Sequence, residues 1–241
     1  MNYVTGDIHG AWDIRKLGGQ NFREGRTLTE SDNVIILGDF GLLWSDPPGS
    51  DETYWLDWLE QRPWTTLVVL GNHENYDLIG QLSEIEMFGG TVKVIRYGMY
   101  ILQTGQVYDL NGDKVFVLGG GLSIDKAQRI EGKSWWPQEQ PSWGEINLAW
   151  MNIEAWGVVD YVLSHVAPVN LKAGYLESHK ASIEYFDPLE HTLRDMLQVL
   201  KFKKHYHGHM HLSVQNHPKH ICLYQKIIEL GKNLDPNYDE E

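Results

Sequence analysis

The stretch Thr66-Leu67-Val68-Val69-Leu70-Gly71-Asn72-His73-Glu74 is an apolar run that stops at a glycine and turns at once into side chains able to bind metal or move protons. The same figure recurs along the chain. Met1–Thr5 stops at Gly6-Asp7-Ile8-His9, and Asn33–Leu37 (NVIIL) stops at Gly38-Asp39. Val115–Leu118 (VFVL) runs into Gly119-Gly120-Gly121, Val158–Ser164 (VVDYVLS) stops at His165, and Lys203–His207 stops at Gly208-His209-Met210-His211. Short apolar runs rich in β-branched residues and bounded by glycine read as strands buried on both faces.

Helices are expected between them. Tyr54–Glu60 would turn Trp55, Leu56 and Leu59 inward. Ser142 with Glu145 forms a capping box, followed by Ile146, Trp150 and Ile153 at helical spacing. Asp187, Pro188 and Glu190 read as an N-cap, a first-turn proline and a reciprocal cap; Leu189, Leu193, Met196, Leu197 and Leu200 supply the apolar face. Lys201-Phe202-Lys203-Lys204 closes that helix, where cations suit the helix dipole. Strands alternating with helices predict an α/β architecture. The second half has more glycine-bounded strands than helices, so the sheet is not expected to be purely parallel. No repeat or linker divides the chain, and a single domain over residues 1–241 is expected. It would carry a Trp-rich segment at 123–156 and a frayed acidic tail at 235–241.

Composition narrows the classes. Among 241 residues, 42% are hydrophobic and 12% aromatic, too many for a disordered chain. A chain of this length buries roughly 70–75% of its unfolded surface and needs no disulfide to fold. The lone Cys222 excludes an intramolecular disulfide framework and fits a reducing, cytoplasmic setting. The N-terminus shows neither a basic nor an apolar leader pattern, and no apolar run has the ~18–20 residues of a membrane span. A formal charge of −13 disfavours long polyanions as partners, though a locally cationic site still admits a small phosphorylated substrate.

Nearly every predicted strand thus ends in a potential metal ligand: Asp7, His9, Asp39, Asn72, His165, His209 and His211, with His73 beside them. Loops at the carboxyl ends of strands in α/β sheets converge on one crevice, so these side chains can meet although they lie far apart in sequence. Seven such groups exceed what one tetrahedral ion takes and suit two ions sharing a bridge, for which the two oxygens of Asp39 are the natural candidate. Carboxylate, amide and imidazole without thiolate favour Mn, Fe, Zn, Co or Ni, with manganese ranked first.

At these positions the sequence resembles the calcineurin-like metallophosphoesterases. Asp7-Ile8-His9, Gly38-Asp39, Gly71-Asn72-His73-Glu74, His165 and Gly208-His209-Met210-His211 match in order the five motifs of that family. The resemblance implies a four-layer sandwich, two mixed β-sheets face to face with helices outside. It implies two divalent ions, one held by Asp7, His9, Asp39 and His211 and the other by Asp39, Asn72, His165 and His209. It also implies His73 as a general acid that does not bind metal, opposite a hydroxide that bridges the ions and attacks phosphorus. The protein Ser/Thr phosphatases of that superfamily continue the second motif with an Asp-Arg pair. Here Phe40-Gly41-Leu42-Leu43-Trp44 follows, which argues against a protein phosphatase and leaves Glu74, Asp77 or a main-chain carbonyl to orient His73.

Other residues invite two readings each. His205 and His207 share the strand run with His209 and His211 and are read as packing or supporting groups, whereas His179, His191, His217 and His220 are read as surface or loop groups. The Trp-rich segment is read first as an aromatic cap on the sheet edge. As a lid it would bring Arg129 to a substrate phosphate and a Trp onto a ring. The expected activity is hydrolysis of a small phosphomonoester or phosphodiester. A nuclease acting on DNA or RNA and a non-catalytic, metal-stabilised interaction protein are the alternatives, and the oligomeric state is left open.

Overall fold

A computed structural model describes residues 1–179 and 186–235. The acidic tail beyond Asp235 and the side chain of His179 lie outside the described part.

In chain order the elements are β1 (Asn2–Thr5), β2 (Asn33–Leu37), α1 (Ser50–Glu60), β3 (Thr65–Val69), α2 (Tyr76–Gly80), β4 (Glu84–Met87), β5 (Gly90–Arg96), β6 (Met99–Leu102), β7 (Val107–Leu110) and β8 (Asp113–Leu118). They continue with α3 (Trp143–Trp156), β9 (Tyr161–Ser164), α4 (Val169–His179), α5 (Pro188–Val199), β10 (Lys204–His207), β11 (Val214–His217), β12 (His220–Cys222) and β13 (Ile227–Glu229). Each predicted strand is present. The hairpin strands β4–β7 and the closing strands β11–β13 were not anticipated.

The strands form a seven-stranded sheet, β13-β1-β2-β3-β6-β5-β4, and a six-stranded sheet, β11-β12-β10-β9-β8-β7. Both are mixed. The runs β1-β2-β3-β6 and β12-β10-β9-β8 are parallel, and the outer strands pair antiparallel. The period-2 alternation of β2 shows why two faces are needed. Ile35 and Leu37 point between the sheets, where they meet Leu67 and Val69 of β3 and Val115, Val117, Leu163 and Tyr206 of the second sheet. Val34 and Ile36 point outward, against Leu56 and Leu59 of α1. On the far side Phe116, Leu118 and Val162 pack under Ala149 and Ile153 of α3 and Leu189, Leu193 and Met196 of α5. Four layers result, as expected. Each fully buried Val, Leu or Ile contributes roughly 1.5–3 kcal/mol relative to exposure.

Local chemistry explains the helix ends. Ser142 and Glu145 cap α3 reciprocally, and the helix stops at Gly157 with φ 63°. Trp150, expected inward, is 36% exposed, and Ala149 takes the buried position. Asp187 caps α5 through the Leu189 N–H, 2.8 Å away. Glu190 does not close a reciprocal cap. Its carboxylate accepts two bonds from buried Lys172 of α4, at 2.8 and 2.9 Å, because a charge taken out of water binds the nearest cation first. Lys203 of the basic cluster bonds Asp160 at 2.6 Å. Among the described residues no helix is long and apolar enough to cross a membrane.

Candidate metal centre

The carboxyl ends of β1, β2 and β3 meet those of β9 and β10 at one edge of the sandwich, and the loops there bring all seven predicted ligands together. Asp7, His9, Asp39 and His211 each offer a ligand atom within 4.8 Å of the others, an arrangement that could hold a metal ion. A second group adjoins it. His165 Nε2 lies 3.0 Å from Asn72 Oδ1, 3.1 Å from His209 Nδ1 and 3.4 Å from Asp39 Oδ1.

Reaching this geometry requires unusual backbone. His9, Asp39, His209 and His211 all have positive φ, between 43° and 65°. Side chains other than glycine seldom adopt that region, and where they do the strain tends to cluster at functional sites. Gly38 precedes Asp39 at φ 97°, and a Cβ there would lie 2.1 Å from His165 Nδ1. This glycine lets the strand end pass directly under the imidazole.

The donor set fits cations. Asp7 Oδ2 is buried and accepts no hydrogen bond, although His211 Nε2 stands 3.3 Å away. His165 Nδ1 donates to the Leu37 carbonyl at 2.7 Å, so in the neutral ring Nε2 carries a lone pair. That lone pair faces the oxygens of Asn72 and Asp39, and a cation satisfies three such acceptors at once. His9 Nδ1 is bonded to Asp13 Oδ2 at 2.9 Å, which leaves Nε2 for the centre in the carboxylate–histidine pattern typical of metal sites.

Charges at the site follow. Burial would raise the Asp7 and Asp39 carboxyls, yet neighbouring groups hold both below the usual range: His211 and His165 at Asp7, and His165 and His9 at Asp39. Asp39, then Asp13 and Asp7, hold the His9 pKa up at about 9 against burial. Burial holds His209 down at about 3 and also lowers His73.

A family model of calcineurin-like phosphoesterases matches residues 3–213. The chain belongs to the calcineurin-like phosphoesterase family. A search of curated proteins returned no match. Phosphoester hydrolysis dependent on divalent metal is thus the chemistry that this calcineurin-like phosphoesterase is built around.

The family fold also shows what surrounds the motifs. Arg129 reaches the site: its Nη2 lies 3.4 Å from His73 Nε2, while Nε donates to Asp125 at 2.7 Å and Nη1 to the Ser134 carbonyl at 3.0 Å. The Trp-rich segment is fixed to the third motif loop. Trp136 Nε1 donates to Asp77 at 2.8 Å, and its ring meets Trp44 edge-on at 5.4 Å. Asp77 is therefore engaged elsewhere and does not orient His73. Neither does Glu74, whose carboxylate lies beneath the loops and accepts the N–H groups of Phe40, Gly41 and Gly71 at 2.8, 3.4 and 3.4 Å. His73 is placed through its own N–H, which donates to Asp39 Oδ1 at 2.8 Å.

His205 and His207 are packing groups, as read. The strand ends at His207 and the chain turns at Gly208, so neither reaches the centre. His205 lies 2.7 Å from Ser164 Oγ, and His207 Nε2 lies 3.0 Å from the Tyr175 hydroxyl. His220 is a correction. It is a half-buried strand residue whose Nδ1 lies 2.9 Å from that of His205, because β12 pairs in parallel beside β10. His191 packs against Phe186 near the surface, and His217 is exposed.

Sequence reasoning missed Asp13, Lys16 and Tyr224. Lys16 is buried and donates to the carbonyls of Gly6 and Asp7 at 3.1 and 2.7 Å, fastening the first motif loop. Tyr224 stacks on His211 with ring centroids 4.8 Å apart and donates to Asp13 at 3.1 Å. Only Asp13 left a trace in sequence, as a carboxylate one helical turn after His9.

Glu74 gives a test of the electrostatics. Burial, aided by the Asp39 charge and opposed by the three N–H donors, pushes its carboxyl up to about 8 from 4.5. Between those values the folded state holds a proton that the unfolded state has released. This contribution to stability is therefore complete below about 4.5 and lost as pH rises toward about 8, at up to about 1.4 kcal/mol per pH unit. In chelator-treated protein Glu74→Gln should lose stability less steeply than the parent between about pH 5 and 8 in urea titrations. Equal slopes would refute the assignment.

Proposed function

We propose that this calcineurin-like phosphoesterase hydrolyses a small phosphomonoester or phosphodiester with two divalent ions. Asp7, His9, Asp39 and His211 would hold one, and Asp39, Asn72, His165 and His209 the other. Asp39 carries the reading. Its Oδ2 lies 3.4 Å from His9 Nε2 and its Oδ1 lies 3.4 Å from His165 Nε2, so one carboxylate addresses both donor sets. Nitrogen and oxygen donors without sulfur suit Mn, Fe, Zn, Co or Ni, and manganese is the ion to load first. When bound, a pair of such ions supplies Lewis acidity toward phosphoryl oxygens and a water of lowered pKa.

The chain's own groups do the rest. An arginine can only donate, so the 3.4 Å contact with Arg129 marks His73 Nε2 as an acceptor in the resting site. A phosphate anion entering beside both groups would draw the guanidinium to itself and favour the imidazolium, since a nearby opposite charge raises a histidine pKa. His73 would then give its Nε2 proton to the departing oxygen as general acid. Asp125 and the Ser134 carbonyl hold Arg129 in place for that contact. Arg129→Ala should raise KM for a phosphomonoester about 10-fold or more, in keeping with a charge-assisted bond of roughly 1.5–3 kcal/mol. Unchanged KM and kcat would remove Arg129 from the substrate site.

The deciding experiment is hydrolysis of matched aryl monoesters and diesters by manganese-loaded protein, with cyclic and linear nucleotides alongside and elemental analysis of the same sample. Single-stranded RNA and DNA belong in the panel, and the net charge of −13 predicts that they are the poorer substrates. Metal-loaded protein inert across the whole panel would overturn the reading.

A further inference from the structure

An asparagine ligand has an ambiguity that carboxylates lack. One end of its amide is an acceptor and the other a donor, and only the oxygen suits a cation. Asn72 sits 5% exposed with Oδ1 facing His165 and Nδ2 facing away. Behind it Nδ2 donates to Ser123 Oγ at 3.1 Å. Ser123 in turn gives its hydroxyl proton to Glu139 Oε2 at 2.6 Å and its main-chain N–H to Glu139 Oε1 at 2.8 Å. Both residues are closed off from solvent, Ser123 at 2% and Glu139 at 0% exposure.

The direction of these bonds matters. A serine hydroxyl has one proton, and here Glu139 takes it. Ser123 Oγ then has only lone pairs to offer Asn72, and only the NH₂ end of the amide can answer them. A flipped amide would set two acceptor oxygens against each other behind the ligand and aim N–H bonds at the ion. We propose that Ser123 and Glu139 are positioning residues that lock the Asn72 oxygen toward the second ion position and so set the affinity there. The inference rests on the two-ion reading above. Neither side chain belongs to the donor set. Both come from the Trp-rich segment, Ser123 at its very start in the loop that follows β8, the glycine-rich strand end to which the motifs assign no ligand.

The test is a calorimetric titration of chelator-stripped full-length protein with Mn²⁺. The parent should bind two equivalents. Ser123→Ala and Glu139→Gln should each weaken one equivalent by about 10–100-fold and leave the other within about twofold, the usual scale for groups that orient a ligand. A carboxylate has no wrong end, and its second oxygen would meet Ser123 Oγ acceptor to acceptor, so in an Asn72→Asp background Ser123→Ala should cause no further loss and should relieve that contact. A purely structural role for Ser123 would cost the same in both backgrounds. A parent that binds fewer than two equivalents defeats the two-ion reading and this inference with it. A parent that binds two, with either single variant matching it at both positions or with Ser123→Ala costing as much in the Asn72→Asp background, overturns the inference alone.

Discussion

Asp39→Ala is expected to lose both ions and to lower turnover of a phosphomonoester by at least about 10²–10³-fold, the scale at which a preorganised electrostatic group in a dry site is felt. The reason is geometric. Asp39 is 1% exposed and presents one oxygen to each donor set, so no neighbour substitutes for it on either side. It also accepts the His73 N–H at 2.8 Å, so its removal loosens the proposed acid. Elemental analysis and circular dichroism of one preparation read out the effect. Absent metal with an unchanged spectrum is the expected pair. Two retained ions and a near-parental rate would show that Asp39 does not bridge.

His73→Ala should behave in the opposite way, keeping its metal and losing turnover. The loss should be about 10²–10⁴-fold for an alkyl phosphate, whose leaving oxygen needs a proton, and much smaller for a nitrophenyl ester, whose leaving group departs unaided. Burial lowers the His73 pKa. The protonated form is therefore scarce in free enzyme at neutral pH, and kcat/KM for the alkyl ester should fall as pH rises through that pKa. The variant should lack this limb. Equal losses on both esters would assign His73 to binding instead.

What was legible in the sequence was whatever a strand end announces locally. Asp7, Asp39, Asn72, His165 and His209 each follow a buried run within a few residues, so the order of motifs carried both the sheet edge and the donor set. The hairpins β4–β7 carry no such mark. Glu84–Met87 alternates charge with apolar residues on an exposed edge strand, a pattern weaker than a buried run. Asn111-Gly112, with φ of 56° and 93°, was a readable hairpin signal for β7 and β8. The supporting groups were beyond reach for another reason. Nothing near Tyr224 announces that it will stack on His211, and Ser123 meets Asn72 only because β8 and β3 belong to different sheets that face each other. Glu190 and Trp150 followed helix rules that tertiary packing overrode.

The left-handed turns at His9, Asp39, His209 and His211 have a further consequence. The protein's own hydrogen bonds hold the backbone at two of them: the His9 N–H to the Asp39 carbonyl at 2.8 Å, and the His209 N–H to Asp7 Oδ1 at 2.9 Å. Each of these turns follows a buried strand, so the sheets beneath brace the strained backbone. With the turns braced by strands rather than by loops alone, chelation is expected to silence the enzyme reversibly without melting it, as circular dichroism before and after manganese is restored would show.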